Sequence, residues 1–192
     1  MAVEAVVFDV GETLVDETAM WIRVAEAGGV TPFTLMAGLG ATIALGRPHD
    51  DVWELLGIEH PPGTWTMDDW YADARPCLER LRARGYRVCA CGNTPAFVEG
   101  ELRPLVDAAA SSESLGVAKP SPAFFARVAE LADAPPGRIA YVGDRVDNDV
   151  LPAIASGMVA VHIRRGPWGH LQQAPDAAIR IRTLDELPEA LP

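Results

Sequence analysis

Ala5-Val6-Val7-Phe8-Asp9-Val10-Gly11-Glu12-Thr13-Leu14 is the stretch on which the fold turns. Four apolar residues in a row, too short for a helix and with no polar face, form the pattern of a strand covered on both sides. A polar turn beginning at Asp9 ends it. Further runs of the same kind lie at 86–91, more weakly at 106–111, at 139–142 and at 159–163, and a sixth strand is expected at 177–181. Helices fit between them. Residues 76–84 carry Cys77, Leu78 and Leu81, with Gly85 as the stop. Ser121-Pro122 opens a helix bearing Phe124, Phe125, Val128 and Leu131. Residues 149–156 form another, ended by Gly157, and Thr94-Pro95 reads as the N-cap and first position of one more.

Alternating strands and helices predict an α/β fold, a Rossmann-like parallel sheet flanked by helices. Residues 18–75 break the rhythm. They hold helical patterns at 21–27, 33–45 and 51–56, separated by Pro32, Pro48, Pro61 and Pro62. The expected division is therefore a core of 1–17 with 76–192, and a small helical cap, 18–75, inserted after the first strand. Pro188 and Pro192 suggest a loose C-terminal tail.

The 192 residues, 49% of them apolar, suffice for one core plus a modest insertion. A net charge of −11 repels phosphate backbones and excludes nucleic acid as a general partner. No apolar run approaches the ~20 residues that span a bilayer. No basic leader precedes the first strand, so a signal peptide is not expected and a cytoplasmic setting is. Three cysteines, an odd number, argue against a disulfide framework, and Cys89 and Cys91, two apart on a strand, read as small buried side chains. Lys119 is the only lysine among 16 basic residues, and a compact ammonium suits a tight phosphate site better than a planar guanidinium.

In parallel α/β sheets ligands bind beyond the carboxyl ends of the strands. Those ends carry Asp9, Gly92-Asn93, and Asp144 with Asn148 and Asp149, while Lys119 precedes Pro120 at the start of a helix. Carboxylates plus water are what Mg²⁺ prefers, and a facing lysine suits a phosphate dianion. Taken singly, each residue has a plainer reading: Asp9 as a turn residue, Asp144 and Asp149 as helix N-terminal acids, Lys119 as a solvated side chain.

The blocks VVFDVGETL (6–14), VCACGNTP (88–95), GVAKPSPAFF (116–125) and YVGDRVDNDV (141–150) resemble, in order and spacing, the four motifs of the haloacid dehalogenase superfamily. The resemblance implies a Mg²⁺-dependent phosphatase acting on a small phosphomonoester. Asp9 would attack phosphorus and form an aspartyl-phosphate. Asp9, Asp144 and the carbonyl of Gly11 would bind the metal, and Asp149 with Asn148 would hold its waters. Lys119 would neutralise Asp9 and the phosphoryl oxygens, and Gly92 and Asn93 would hold substrate. Glu12, Thr13 and Arg145 are supporting candidates, Arg145 as an anion contact. The implied partner is a small phosphorylated metabolite, and the chain would be a monomer or homodimer.

Two positions depart from the family pattern. Gly11 stands where the family's phosphatases carry a second Asp, the general acid and base, worth ~10²–10⁴-fold in rate. Glu12 and Asp16 are the candidates to replace it. Gly92 stands where Ser or Thr is usual, so one hydroxyl contact to phosphate is lost. A 2-haloacid dehalogenase-like hydrolase, which needs no leaving-group acid, and a catalytically impaired ligand-binding module are the alternatives. Within the insertion, Trp21, Trp53, Trp65 and Trp70 read as core more than contact, and Arg23, Arg47 and His49 as surface. Arg164, Arg165 and Trp168 either face ligand or form a structured turn.

Overall fold

The computed structural model describes residues 2–61, 66–67 and 69–192; Pro62 and Trp65 lie outside the described residues. Six parallel strands form one sheet: β1 (Ala5–Phe8), β2 (Arg87–Gly92), β3 (Ala108–Ser111), β4 (Ile139–Gly143), β5 (Val159–Ile163) and β6 (Ile179–Ile181), in the order β3-β2-β1-β4-β5-β6. The expected parallel sheet flanked by helices is thus present. β1 pairs with β2 on one side and β4 on the other, Val6 facing Val88 and Ala140. The chain winds outward from β1 first one way and then the other, so the strand order reverses at the carboxyl ends of β1 and β4. Such a switch point leaves a crevice where ligands bind.

Continuous apolar runs are needed because both faces of the sheet are covered. Val6 and Phe8 face one layer, with Ala74, Cys77, Leu78 and Leu81 of α4 (Ala74–Ala83). Ala5 and Val7 face the other, with Cys89, Cys91 and Tyr141, against Phe124, Phe125 and Val128 of α7 (Pro122–Ala132). All three cysteines are free and buried, which bears out the plain reading of Cys89 and Cys91.

Between β1 and α4 lie α1 (Thr18–Ala27), α2 (Pro32–Ala44) and α3 (Asp51–Leu56), close to the expected patterns. Pro32 opens α2 instead of merely separating it from α1, because Thr31 accepts a hydrogen bond from the Thr34 amide at 3.2 Å and Pro at the first helical position has no amide to lose. These helices bury their own cluster, Val24, Leu35, Leu39, Val52 and Trp53, and one residue of another segment completes it: Trp168 of α9 (Gly166–Leu171).

Four local expectations are corrected. Thr94 does not cap a helix. Its hydroxyl is buried without a partner among the described residues, Glu113 accepts from the Ala96 amide at 2.7 Å in its stead, and the helix α5 begins at Val98 and runs to Leu102. The helix expected from Asp149 is preceded and partly replaced by a π-turn, Val146–Val150, which α8 (Leu151–Ala155) continues. Lys119 sits three residues ahead of α7, whose cap is Ser121. The C-terminus is not loose. α10 (Leu187–Ala190) buries Leu187 and Pro188, and Arg84 donates to the Pro188 carbonyl at 2.7 Å. α6 (Ser112–Leu115) follows β3 directly. Among the described residues no single helix is long and apolar enough to cross a membrane.

Candidate active site

Asp9 follows β1 immediately and its amide continues the sheet ladder, donating to Val142 at 2.8 Å. Its carboxylate is thereby aimed out of the strand end. Asp144 follows β4 in the same way, next door across the switch point. Asp149 returns to the pair through the π-turn, whose extra residue widens the backbone. Its Oδ2 accepts from the Arg145 amide at 3.0 Å, and a Cβ on Gly143 would lie 2.6 Å from the Asp149 Cβ, so that position has room only for glycine.

Lys119 closes the group. Its Nζ lies 2.7 Å from Asp9 Oδ1 and 2.6 Å from Asp149 Oδ1, with the side chain 2% exposed. Asn93 holds the backbone that presents it: Asn93 Oδ1 accepts from the Lys119 amide at 2.8 Å and Asn93 Nδ2 donates to the Lys119 carbonyl at 3.1 Å. The only lysine in the chain is therefore buried between two carboxylates, not solvated. Burial alone would drive its proton off, but Asp149 and Asp9 outweigh that and raise its pKa above the ordinary lysine value. Burial, then the charges of Asp149 and Asp9, push Asp144 well above the usual carboxylate range. Asp149 also rises, through burial, with Lys119 opposing.

Asp9, Asp144 and Asp149 each offer an oxygen, all within 4.8 Å of one another. Asp144 Oδ2 is buried with no hydrogen-bond partner among the described residues. A buried, unpartnered acceptor is costly, and three carboxylates around one ammonium leave negative charge uncompensated. A hard divalent cation satisfies both deficits with oxygen ligands, so the donor set fits one.

A cavity of about 270 Å³ opens above this floor. Asp9, Gly11, Asn93, Lys119, Asp144 and Asn148 line its base. Gly92, the last residue of β2, lies behind it, and a Cβ there would come 2.5 Å from Asp9 Oδ1. The space that a Ser or Thr would need at position 92 is therefore already taken. Thr13 is fully buried and outside the cavity, its carbonyl accepting from Arg165 at 3.0 Å. Arg145 lines the cavity, but it is paired with Asp147 at 2.7 Å and lies 4.7 Å over the Trp168 ring.

The opposite wall comes from the insertion and from α9. Trp21, His49, Trp53, His60 and Trp168 face the cavity. Trp53 and Trp168 are core residues and cavity wall at once, and His49, expected at the surface, stands 5.9 Å from Trp168. Trp70 instead carries Arg75 over its ring and is not in the wall. Arg23 donates to Thr66, and Arg47 pairs with Asp51 at 2.8 Å, both away from the cavity. Of the segment after β5, Arg164 is exposed and Arg165 is buried against Asp73, as a brace between loops and not a ligand contact.

The candidates to replace an acid at position 11 already have hydrogen-bond partners. Glu12 lines the cavity, but it is held at φ 50 with its carboxylate accepting from the Glu17 amide at 3.0 Å and the Tyr71 hydroxyl at 2.6 Å. Asp16 accepts from the Thr18 amide at 2.8 Å and is not in the cavity wall. Glu17, which sequence reasoning passed over, lines the cavity. Burial, then the charges of Glu12 and Asp9, push it up to about 8. Its only trace in the sequence is an acid four residues ahead of Trp21 on one helix face.

A family model for haloacid dehalogenase-like hydrolases matches residues 3–157. The glyceraldehyde 3-phosphate phosphatase of Methanopyrus kandleri is 32% identical over 127 residues, covering 63% of this chain and 54% of that protein, so the match spans about half the relative's length. A phosphatase of this type from Thermococcus onnurineus superposes with a TM-score of 0.64 at 23% identity, over 97% of this chain and 96% of its own. A Bacillus subtilis hydrolase of the same type, crystallised with magnesium, gives 0.72 at 17% identity over 98% of each chain. At these identities the two structures share the fold.

Proposed function

We propose that this chain, which belongs to the haloacid dehalogenase-like hydrolase family, is a Mg²⁺-dependent phosphatase that cleaves a small phosphomonoester through an aspartyl-phosphate at Asp9. The observation that carries this reading is the convergence of Asp9, Asp144 and Asp149 with the buried Lys119 at the switch point of the sheet. Asp9, Asp144 and the Gly11 carbonyl would hold the cation, with Asp149 and Asn148 behind them; the relative of like fold from Bacillus subtilis is described with magnesium bound. When bound, the ion supplies positive charge to the phosphoryl oxygens in a cavity that is otherwise acidic.

Asp9 attacks phosphorus in line with the departing oxygen. Lys119, 2.7 Å from Asp9 Oδ1, holds that carboxylate in place for the attack and stabilises the charge gathered on the phosphoryl oxygens, a positioned charge that needs no reorganisation. Asn93 works through Lys119, fixing the backbone from which the ammonium reaches. The helices of 18–75 act as a cap, and their aromatic wall faces the organic part of the ester. The similarity to the glyceraldehyde 3-phosphate phosphatase of Methanopyrus kandleri supports a small phosphorylated metabolite as substrate, and a cavity of about 270 Å³ has room for one. Three free thiols suit a reducing, cytoplasmic setting.

Gly11 favours a second reading, a dehalogenase, because halide leaves without an acid. The uncompensated carboxylates weigh against it. The test is phosphate release from a panel of monoesters with Mg²⁺, with EDTA, and with Asp9→Asn. Metal-dependent release that disappears in the variant is expected, together with stabilisation by Mg²⁺ of about 2.7 kcal/mol at a hundred times its Kd. Halide release without metal would replace this reading with the second.

A further inference from the structure

Glu17 lies at the N-cap of α1, where an acid ordinarily accepts hydrogen bonds from its own helix, yet its side chain makes no capping bond. It turns back over the first loop instead. A Cβ on Gly11 would fall on the Glu17 carboxyl, 2.8 Å from Cδ and nearer still to Oε1. The carboxyl of Glu17 thus fills the space into which a side chain at position 11 would project. It faces the same cavity as Asp9 and Lys119. Trp21, one turn further along α1, donates from Nε1 to Glu17 Oε2 at 3.3 Å, which fixes the carboxyl from the far side and leaves Oε1 as the oxygen over Gly11. Glu12 and Asp16 are spent on the Glu17 amide, Tyr71 and the Thr18 amide.

We infer that Glu17 is the general acid and base of this enzyme, delivered from the N-cap of α1, at the threshold of the insertion, to the place left open by Gly11. The inference rests on the phosphatase reading. As Asp9 Oδ bonds to phosphorus and the P–O bond to the substrate breaks, Glu17 gives its proton to the departing oxygen, releasing the alcohol and leaving Glu17 as carboxylate. In the second half, Glu17 takes a proton from water as the water oxygen bonds to phosphorus. The P–O bond to Asp9 breaks, and phosphate, the Asp9 carboxylate and protonated Glu17 result. The pairing of Gly11 with Glu17 is then one device: glycine is required so that the carboxyl from α1 can occupy the site.

The test compares single-turnover cleavage of an aryl ester, p-nitrophenyl phosphate, with that of an alkyl ester, glycerol phosphate, both with Mg²⁺. Wild type, Glu17→Gln and the double variant Gly11→Asp with Glu17→Ala are run side by side. A general acid matters most where the leaving group is poor. Glu17→Gln should lose about 10²–10⁴-fold on the alkyl ester and about tenfold or less on the aryl ester. The double variant, with its acid moved to position 11 and the clash removed, should regain at least about tenfold of the alkyl rate. Should Glu17→Gln fail to fold, the double variant decides: alkyl cleavage supports the inference, and its absence beside retained aryl cleavage overturns it. If wild type hydrolyses esters through Asp9 while Glu17→Gln keeps the wild-type ratio of aryl to alkyl rates, Glu17 is not the acid and the phosphatase reading stands. If wild type cleaves neither ester, both fall.

Discussion

The floor and the roof of the cavity are built by different means. The floor is a set of short side chains placed directly at strand ends: Asp9 after β1 and Asp144 after β4, with the glycine that ends β2 leaving room for Asp9. Backbone pairing aims them, and their chemistry is charge. The roof is a set of large side chains, Trp21, His49, Trp53 and Trp168, on the helical insertion and α9. Packing aims them, and several also form the insertion's own core. A residue at a strand end can serve the site alone. A residue of a small helical layer serves stability and site together, so its two roles cannot be separated by burial. Glu17 is the exception, a charged group at the N-cap of α1, on the border between the two, that turns back onto the floor.

The largest effect that sharpens this contrast is in the floor. Lys119→Met leaves three buried carboxylates without their ammonium, and it should abolish turnover and, with metal absent, cost about 3–5 kcal/mol in urea unfolding. A loss under about 1 kcal/mol would mean that the floor is not electrostatically coupled. In the roof, Trp168→Ala removes a core residue that is also cavity wall. It should cost about 3–5 kcal/mol of stability and raise KM, while the response to Mg²⁺ is retained. A variant that lost stability with KM unchanged would sever the two roles.

A smaller effect tests how full the floor already is. Gly92→Ser brings a Cβ to 2.5 Å from Asp9 Oδ1, so it should lower turnover and cost about 1–3 kcal/mol through overpacking, although Ser is the family's usual residue. Faster turnover by this variant would show that Asp9 gives way and that the missing hydroxyl was the limit. The smallest effect lies outside both regions. Arg47→Ala breaks a pair whose arginine is 46% exposed, and it should change neither kinetics nor stability by more than about 0.5 kcal/mol.

The sequence read alone settles the sheet and the charges of the floor. Apolar runs such as Ala5–Phe8 have one stable use in a chain of this composition, and the residue after each run must emerge at the sheet's carboxyl edge, so Asp9, Asn93 and Asp144 are brought together by topology. Lys119 stood out as the single lysine, and burial between two carboxylates explains why an ammonium and not a guanidinium is there. Helix beginnings were less legible. Thr94-Pro95 has the right local chemistry for a cap, but Glu113, distant in sequence, supplies the acceptor. Only the tertiary structure decided that Arg165 braces loops through Asp73 and Thr13, that Trp168 completes a core begun some 140 residues earlier, and that Glu17 stands over Gly11. Those outcomes depend on the direction in which a helix leaves a turn and on what packs against it. Neither quantity is carried by residue type or spacing, because both are settled by the summed contacts of segments far apart in the chain.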